Sequence, residues 1–392
     1  MRVSMIVFGD LDQPSGGYLY DQHLARALRG AGHEVSVVSQ PTGLSYRNQV
    51  RLGRDTRRAI TRRRRGDARH AHPDLGTLSR LVQSRPDLVV VDELNHAAVA
   101  PWLRDVRRVI PDVPVVGLVH HLRSDEGGVH RLSRRRERRF LRGCDAWLCN
   151  STVTMRRVQR VSGVRRSSAV AFPGGDASGY GHGTGDVPAV HPVKATTAPG
   201  RPAPLRVLAV GSLIPRKNLH VLLRAAAAVP AVELSIVGDR RVAPRYAESL
   251  ARLIERHRMA DRVALRGRVP SDMLEAEFRA AHLFAVPSRY EGFGIVYLEA
   301  MSRGVPVIAS RAGGARDIVR HGRDGFLVPP GSVRAVRQTL ERLATDRSSL
   351  ADLGTAARER AAGFHTWERS MAGAVRFLES IIGAGTRTSR SE

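Results

Sequence analysis

Two carboxylates, Glu291 and Glu299, stand with seven residues between them in EGFGIVYLE, around a Gly-Phe-Gly turn that separates the apolar run 283–288 (LFAVPS) from a helical pattern. A Gly-rich turn opening a helix presents unpaired backbone N–H groups and the positive end of the helix dipole, a setting that suits phosphate. Carboxylates repel phosphate but accept hydrogen bonds from sugar hydroxyls. The ligand that satisfies both carries phosphates and hydroxyls together, as a nucleotide sugar does. Glu299, in the first turns of the helix, can accept both hydroxyls of a ribose diol, and Glu291, in the loop before it, is left to reach a hexose. Both also read as ordinary acids at a helix start, stabilised by the dipole.

A second constellation is Gly211-Ser-Leu-Ile-Pro-Arg216-Lys217-Asn218, which follows an apolar run and opens a helix. Two adjacent cations there can reach a diphosphate, each charge-assisted hydrogen bond contributing about 1.5–3 kcal/mol. They would also stabilise the charge that develops on a departing diphosphate. Lys217 and Lys194 are the only lysines of the chain. In the N-terminal half, Gly16 and Gly17 permit close backbone approach to a ligand after the first strand. His120 ends the run VVGLVH and is expected at the carboxyl end of a parallel strand, where ligands bind, with His121 turned the other way. Asp125 and Glu126 orient an acceptor or balance the nearby arginines; the sequence leaves both readings open. HExxH, P-loop and GxSxG patterns are absent, which removes the main support for those chemistries.

The elements that position these residues are legible as apolar runs. Strands are expected over 2–9, 34–39, 86–92, 113–120 and 145–151, and again over 205–212, 232–239, 262–269, 283–288, 306–310 and 325–330, with helical periodicity between them. Continuous rather than alternating apolar strands belong to parallel sheets buried on both faces. Each half therefore reads as an α/β doubly wound domain. Between them, residues 176–204 are dense in Gly, Pro, Ser and Thr and read as a linker. The expected domains are 1–175, 205–365, a helix over 366–383 with apolar Met371, Val375, Leu378 and Ile382, and a disordered tail over 384–392.

At 392 residues two domains are the ordinary expectation, and two cysteines, Cys144 and Cys149, exclude a disulfide framework. The first apolar run is too short for a signal peptide, and the location expected is cytoplasmic, peripheral at the inner face of the membrane. The net charge of +26 would suit an anionic partner, but all but two of the 63 basic residues are arginines spread over both halves, which reads equally as an ordinary solvated face. Nine arginines from Arg51 to Arg69 and seven from Arg131 to Arg142 are the dense clusters. Aromatic residues make up only 5%, too few for the stacking platforms of single-strand binders, so an anionic membrane surface is favoured over nucleic acid.

On EGFGIVYLE, GSLIPRKNL, PSGGYLYDQHLARALRGAGHEV and PVVGLVH, the chain resembles the retaining GT-B glycosyltransferases of family 4. The resemblance implies two Rossmann-like domains facing across a cleft, with the C-terminal helix crossing back to the N-terminal domain. It implies transfer of a sugar from a UDP-, GDP- or other nucleoside-diphosphate donor to an acceptor hydroxyl, with no divalent metal and no cofactor. Arg216 and Lys217 would bind the diphosphate, Glu299 the ribose, and Glu291 with Gly292, Phe293, Gly294 and Ile295 the donor sugar. Gly211 and Val269 would line the nucleotide, Gly16 and Gly17 would close on the phosphates, and His120 would contact the sugar. The family often carries Gly-Gly-x-x-Glu after the next strand; here it is Gly313-Gly314-Ala-Arg316-Asp317. The alternatives are an epimerase or hydrolase acting on nucleotide sugars, and a catalytically inactive protein that binds anionic surfaces.

Overall fold

The computed structural model describes residues 1–9, 11, 16–40, 80–81, 83–101, 103, 110, 112–125, 131–175, 196–198 and 201–388. Two compact units emerge, Met1–Pro173 with Trp367–Glu392, and Gly174–Thr366. The first is built on β1 (Arg2–Phe8), β2 (Glu34–Gln40), β3 (Leu88–Asp92), β4 (Val115–Val119), β5 (Ala146–Cys149) and β6 (Ser167–Val170), all parallel in the order β2-β1-β3-β4-β5-β6. Every residue of β3, β4 and β5 is buried, which is why their sequences carry no polar alternation. Phe140 and Trp147 fill the space beside them, and the Trp147 indole N–H donates to the Leu141 carbonyl at 3.1 Å, so the ring is buried with its polar atom paired.

The helix Gly16–Gly30 turns Tyr20, Leu24 and Leu28 inward at helical spacing, and the terminal helix Trp367–Thr388 packs against it. Trp367 stacks on His23 with ring centroids 4.0 Å apart and meets Tyr20 edge-on, while His33 Nε2 lies 2.9 Å from the Glu379 carboxylate. This helix runs five residues beyond the expected end at 383. Glycine at 383 and 385 lowers helical propensity, but nothing in that stretch forces a stop as proline would.

The second unit contains the short antiparallel pair β7 (Thr196–Ala198) and β8 (Arg201–Pro202), and the sheet of β9 (Leu205–Val210), β10 (Val232–Val237), β11 (Val263–Gly267), β12 (Leu283–Val286), β13 (Val307–Ser310) and β14 (Gly325–Val328). Its parallel order is β11-β10-β9-β12-β13-β14, so the connection reverses direction between β9 and β12. That switch point is where an open α/β sheet leaves a crevice at the strands' carboxyl ends. In the first sheet the switch falls between β1 and β3. β7 and β8 correct the expectation of an unstructured linker through 204, since β-branched Thr196 and Thr197 favour strand over coil. β6 was absent from the sequence reading because SSAV is a partly exposed edge strand without an apolar run.

Candidate functional site

Two loops meet at the switch point of the second sheet. After β9 the chain turns at Gly211, whose φ of 144° excludes ordinary side chains, and a Cβ there would stand 3.2 Å from the Lys217 stem. A 3₁₀ turn, Pro215–Lys217, delivers Arg216 and Lys217, and Asn218 in the left-handed region opens the helix Leu219–Ala227. After β12 the chain passes Ser288 and Glu291 to Gly294, whose φ of 95° starts the helix Ile295–Ser302. A backbone bond from Arg289 N–H to the Arg216 carbonyl, 2.7 Å, ties the loops together.

Glu291 is the hub of this arrangement. Its Oε2 accepts from Lys217 Nζ at 2.8 Å and from Ser288 Oγ at 3.0 Å, and its Oε1 accepts from Arg216 Nη1 at 3.2 Å. Arg216 Nη1 also donates to the Tyr290 carbonyl at 3.1 Å. Burial pushes the Glu291 carboxyl up, but Lys217 and Arg216 outweigh it and hold the group ionised, well below the usual carboxylate range. Burial lowers the Lys217 ammonium from its usual value against the pull of Glu291. The Glu291 backbone is fixed as well, since Gly314 N–H donates to its carbonyl at 2.8 Å and Gly313 lies so close that a Cβ would collide with that carbonyl. Gly313 and Gly314 are thus required by packing, whereas Asp317 sits in the short helix Ala315–Ile318 with its carbonyl held by Arg360.

Glu299 lies on the fifth residue of its helix, half-buried, and its charge acts on Lys217. Gly292, Phe293, Gly294 and Ile295 are buried around the turn. Val269 follows β11 at the sheet edge, two strands from β9, and is half-buried. The structure therefore brings Arg216, Lys217, Gly211, Glu291 and Glu299 together. Ser288, which fixes Glu291, escaped the sequence reading; its one signal was a position just past a strand's carboxyl end.

In the first unit the switch point gathers a different set. Gly17, in the first turn of its helix, lies beside the His120 ring, where a Cβ would stand in ordinary contact at 3.5 Å, and Asp21, one turn on, bonds the ring's Nε2 through Oδ1 at 2.9 Å. The His120 backbone N–H donates to Glu93 Oε2 at 2.7 Å, and Tyr20 meets the ring edge-on. Burial alone would lower the imidazole, but Asp21, Asp92 and Glu93 raise it to about 10. Burial, then Asp21, lifts Asp92 to about 7, and burial with Asp92 lifts Glu93 well above its usual value. The set is a protonated imidazole held among three buried acids, able to donate hydrogen bonds to an oxygen. Asp21, Asp92 and Glu93 were missed, although Asp92 and Glu93 end a strand as His120 does.

Gly16 begins its helix, exposed. Asp125 Oδ1 accepts from Arg157 at 2.7 Å, which favours charge balance over acceptor binding, and Glu126 lies outside the described residues. So does the cluster from Arg51 to Arg69. The other cluster forms the helix Arg131–Gly143, exposing Arg134, Arg135, Arg138, Arg139 and Arg142 while Glu137 is buried. Asp10-Leu11-Asp12 corrects the expectation that no D-x-D pattern occurs, the spacing used by metal-bridged diphosphate sites; its two acids are outside the described residues. Among the described residues no three His, Cys, Asp or Glu side chains are placed to hold a metal, and no helix is long and apolar enough to cross a membrane.

Two family models match the chain, "Glycosyltransferase Family 4" over residues 19–176 and "Glycosyl transferases group 1" over 200–360. The chain is 35% identical over 182 residues to the GDP-mannose-dependent alpha-(1-6)-phosphatidylinositol monomannoside mannosyltransferase of Mycobacterium tuberculosis, covering 44% of this chain and 46% of that protein. It spans about half the length of the curated relatives it matches. Among solved structures it is similar to sucrose-phosphate synthase from Thermosynechococcus elongatus, with a TM-score of 0.77 and 21% identity over 98% of this chain and 99% of that one. It is also similar to Anabaena HepE in complex with UDP and glucose, with a TM-score of 0.71 and 21% identity over 97% of this chain and 100% of that one.

Proposed function

The chain belongs to the family 4 and group 1 glycosyltransferases of the GT-B fold, and from that premise we propose that it moves a sugar from a nucleoside-diphosphate donor to an acceptor hydroxyl with retention of configuration and without a metal. The observation that carries this reading is the Arg216–Lys217 pair held on Glu291 at the switch point of the second sheet. In the proposed reaction the acceptor oxygen forms its bond to the anomeric carbon on the face from which the diphosphate leaves. The bond from that carbon to the diphosphate oxygen breaks, and the departing diphosphate takes the acceptor's proton. Arg216 and Lys217 would stabilise the charge on that leaving group. Glu299 would hold the ribose and Glu291 the donor sugar, with Gly211 and the turn through Ile295 shaping the pocket around them. In the first unit, His120 would donate a hydrogen bond to a sugar oxygen, and Gly16 and Gly17 would admit phosphate.

GDP-mannose and a UDP-sugar are the first donors to try, given the relatives named above, and a phosphoinositide lipid is the first acceptor. Attachment at a membrane surface through the arginine face of the helix Arg131–Gly143 is part of the same reading. A thermal-shift screen against UDP, GDP, ADP and TDP should raise Tm with one of them, since a ligand that binds the native state alone stabilises it. With the matching donor, Arg216→Ala and Lys217→Ala should each lower kcat by an amount equivalent to about 2–4 kcal/mol of transition-state stabilisation. Unchanged turnover in both variants would remove the proposed role.

A further inference from the structure

At the amino ends of β9 and β12, away from the loops just described, three basic side chains meet without an acid. His282 and Arg206 are neighbours across the two strands, with the His282 N–H donating to the Arg206 carbonyl at 2.9 Å. In return, the Arg206 backbone N–H donates to His282 Nδ1 at 3.2 Å. A ring nitrogen that accepts carries no proton, so in the neutral imidazole the proton must be on Nε2. Yet Nε2 stands 3.1 Å from Nη2 of the Arg206 guanidinium, which has no acceptor to offer. Two donors therefore face each other and lack the acceptor that would satisfy both.

A third donor borders the pair. Arg347 Nη1 is 3.5 Å from His282 Nδ1, its Nη2 is anchored on the Ala203 carbonyl at 2.7 Å, and its Nε is buried with no hydrogen-bond partner among the described residues. Nearby acids do not neutralise the group. Asp346 is engaged by Ser348 and Ser349, and Glu233, opposite Arg206 in the β9–β10 register, closes no ion pair with it among the described residues. Burial, then Arg206 and Arg347, push the His282 imidazole down to about 4, which agrees with a neutral ring between two cations. Arg206 is exposed and His282 half-buried, so a small anion has access from solvent.

We propose that Arg206, His282 and Arg347 form a binding site for a phosphate oxyanion at the amino ends of β9 and β12. One phosphate oxygen would accept from His282 Nε2 and Arg206 Nη2 together, replacing the opposed donors with a shared acceptor, and Arg347 would add charge from the buried side. The site is separate from the Arg216–Lys217 loop, which follows the other end of β9, roughly 15 Å along a strand that rises about 3.3 Å per residue. It does not depend on the transferase reading. Phosphate could be supplied free in solution or as a lipid headgroup, and the recognition chemistry is the same.

The test uses the full chain labelled with ¹⁵N-histidine, the His282 signal being identified by its loss in His282→Gln. Titration with inorganic phosphate should shift the Nε2–H resonance and raise the pH at which the ring protonates. Arg206→Gln should weaken the phosphate effect at least about tenfold, as expected for loss of a charge-assisted bond, while Arg216→Ala/Lys217→Ala should leave it in place. Because Arg347 also anchors the Ala203 carbonyl, the exposed Arg206 carries the decisive comparison should Arg347→Gln fail to fold. A parallel arm compares flotation of the parent chain and Arg206→Gln on vesicles of phosphatidylcholine with and without phosphatidylglycerol. Flotation that weakens with the substitution assigns the phosphate to a lipid, and a response to inorganic phosphate alone assigns it to a soluble anion. A His282 signal unmoved by millimolar phosphate, or moved equally in Arg206→Gln, overturns the proposal.

Discussion

Replacing Glu291 with glutamine should tighten the binding of a free nucleoside diphosphate while it weakens the fold and the reaction. Lys217 Nζ is 2.8 Å and Arg216 Nη1 3.2 Å from the Glu291 carboxylate. A phosphate oxygen bonded to the same Lys217 ammonium at ordinary distance would lie within about 6 Å of that carboxylate. Two unit charges at about 6 Å repel by about 3 kcal/mol at an effective dielectric of about 20. Solvent reaching the site and dissolved salt reduce this to about 1–2 kcal/mol, or five- to thirtyfold in Kd. Glutamine keeps the size and one acceptor, so the cations remain near their places while the competing charge is gone. Isothermal titration of the parent and Glu291→Gln with the diphosphate found by thermal shift, at low salt and again at high salt, measures the difference. Affinity in the variant equal to or weaker than the parent's at both salts would refute the reasoning. The fold should suffer in the opposite sense, because two largely buried cations lose their counter-charge, at a cost of about 2–3 kcal/mol. That part has a pH signature. A carboxyl whose folded value is depressed contributes stability that is complete above its unfolded value of about 4.3 and is lost as pH falls below it. The parent should lose stability steeply on acidification, and Glu291→Gln should lose less.

Three further outcomes follow from other contacts. Asp21→Asn should bring the His120 titration down from about 10, read by ¹⁵N-histidine chemical shifts. Since that value is raised above the unfolded one of about 6.5, the stability from the pair is complete below about 6.5 and lost as pH rises toward 10, a loss the variant should not show. Gly313→Ala should destabilise the second unit by more than about 2 kcal/mol, because φ is 94° and the new Cβ meets the Glu291 carbonyl; urea unfolding reports it. Trp367→Ala should cost about 3–5 kcal/mol in the first unit by removing a buried ring stacked on His23, and a smaller loss would show that the terminal helix is held elsewhere.

Particular residues show what could be read in advance. Strands such as Val115–Val119 and Leu283–Val286 were legible because burial on both faces leaves a continuous apolar run, and their ends marked the positions of His120 and the Glu291 loop. The junction of Arg216 and Lys217 with Glu291 was not legible. They lie 75 and 74 residues apart in the chain, and periodicity reports local structure rather than which strands become neighbours. The buried acids Asp21, Asp92 and Glu93 were hidden for a related reason. An acid among apolar residues looks like a surface group until the partner that allows its burial, here His120, is placed beside it.

The terminal helix has a consequence for how the chain is made. Trp367, which stacks on His23 and meets Tyr20 edge-on, is synthesised more than three hundred residues after them. The unit Gly174–Thr366 is complete before that residue is synthesised, while the unit containing Met1–Pro173 still lacks the helix from Trp367. Of the two units, the one whose synthesis starts earlier is therefore the later to be completed, and its helix Gly16–Gly30 must wait through the synthesis of an entire neighbour before Trp367 reaches it.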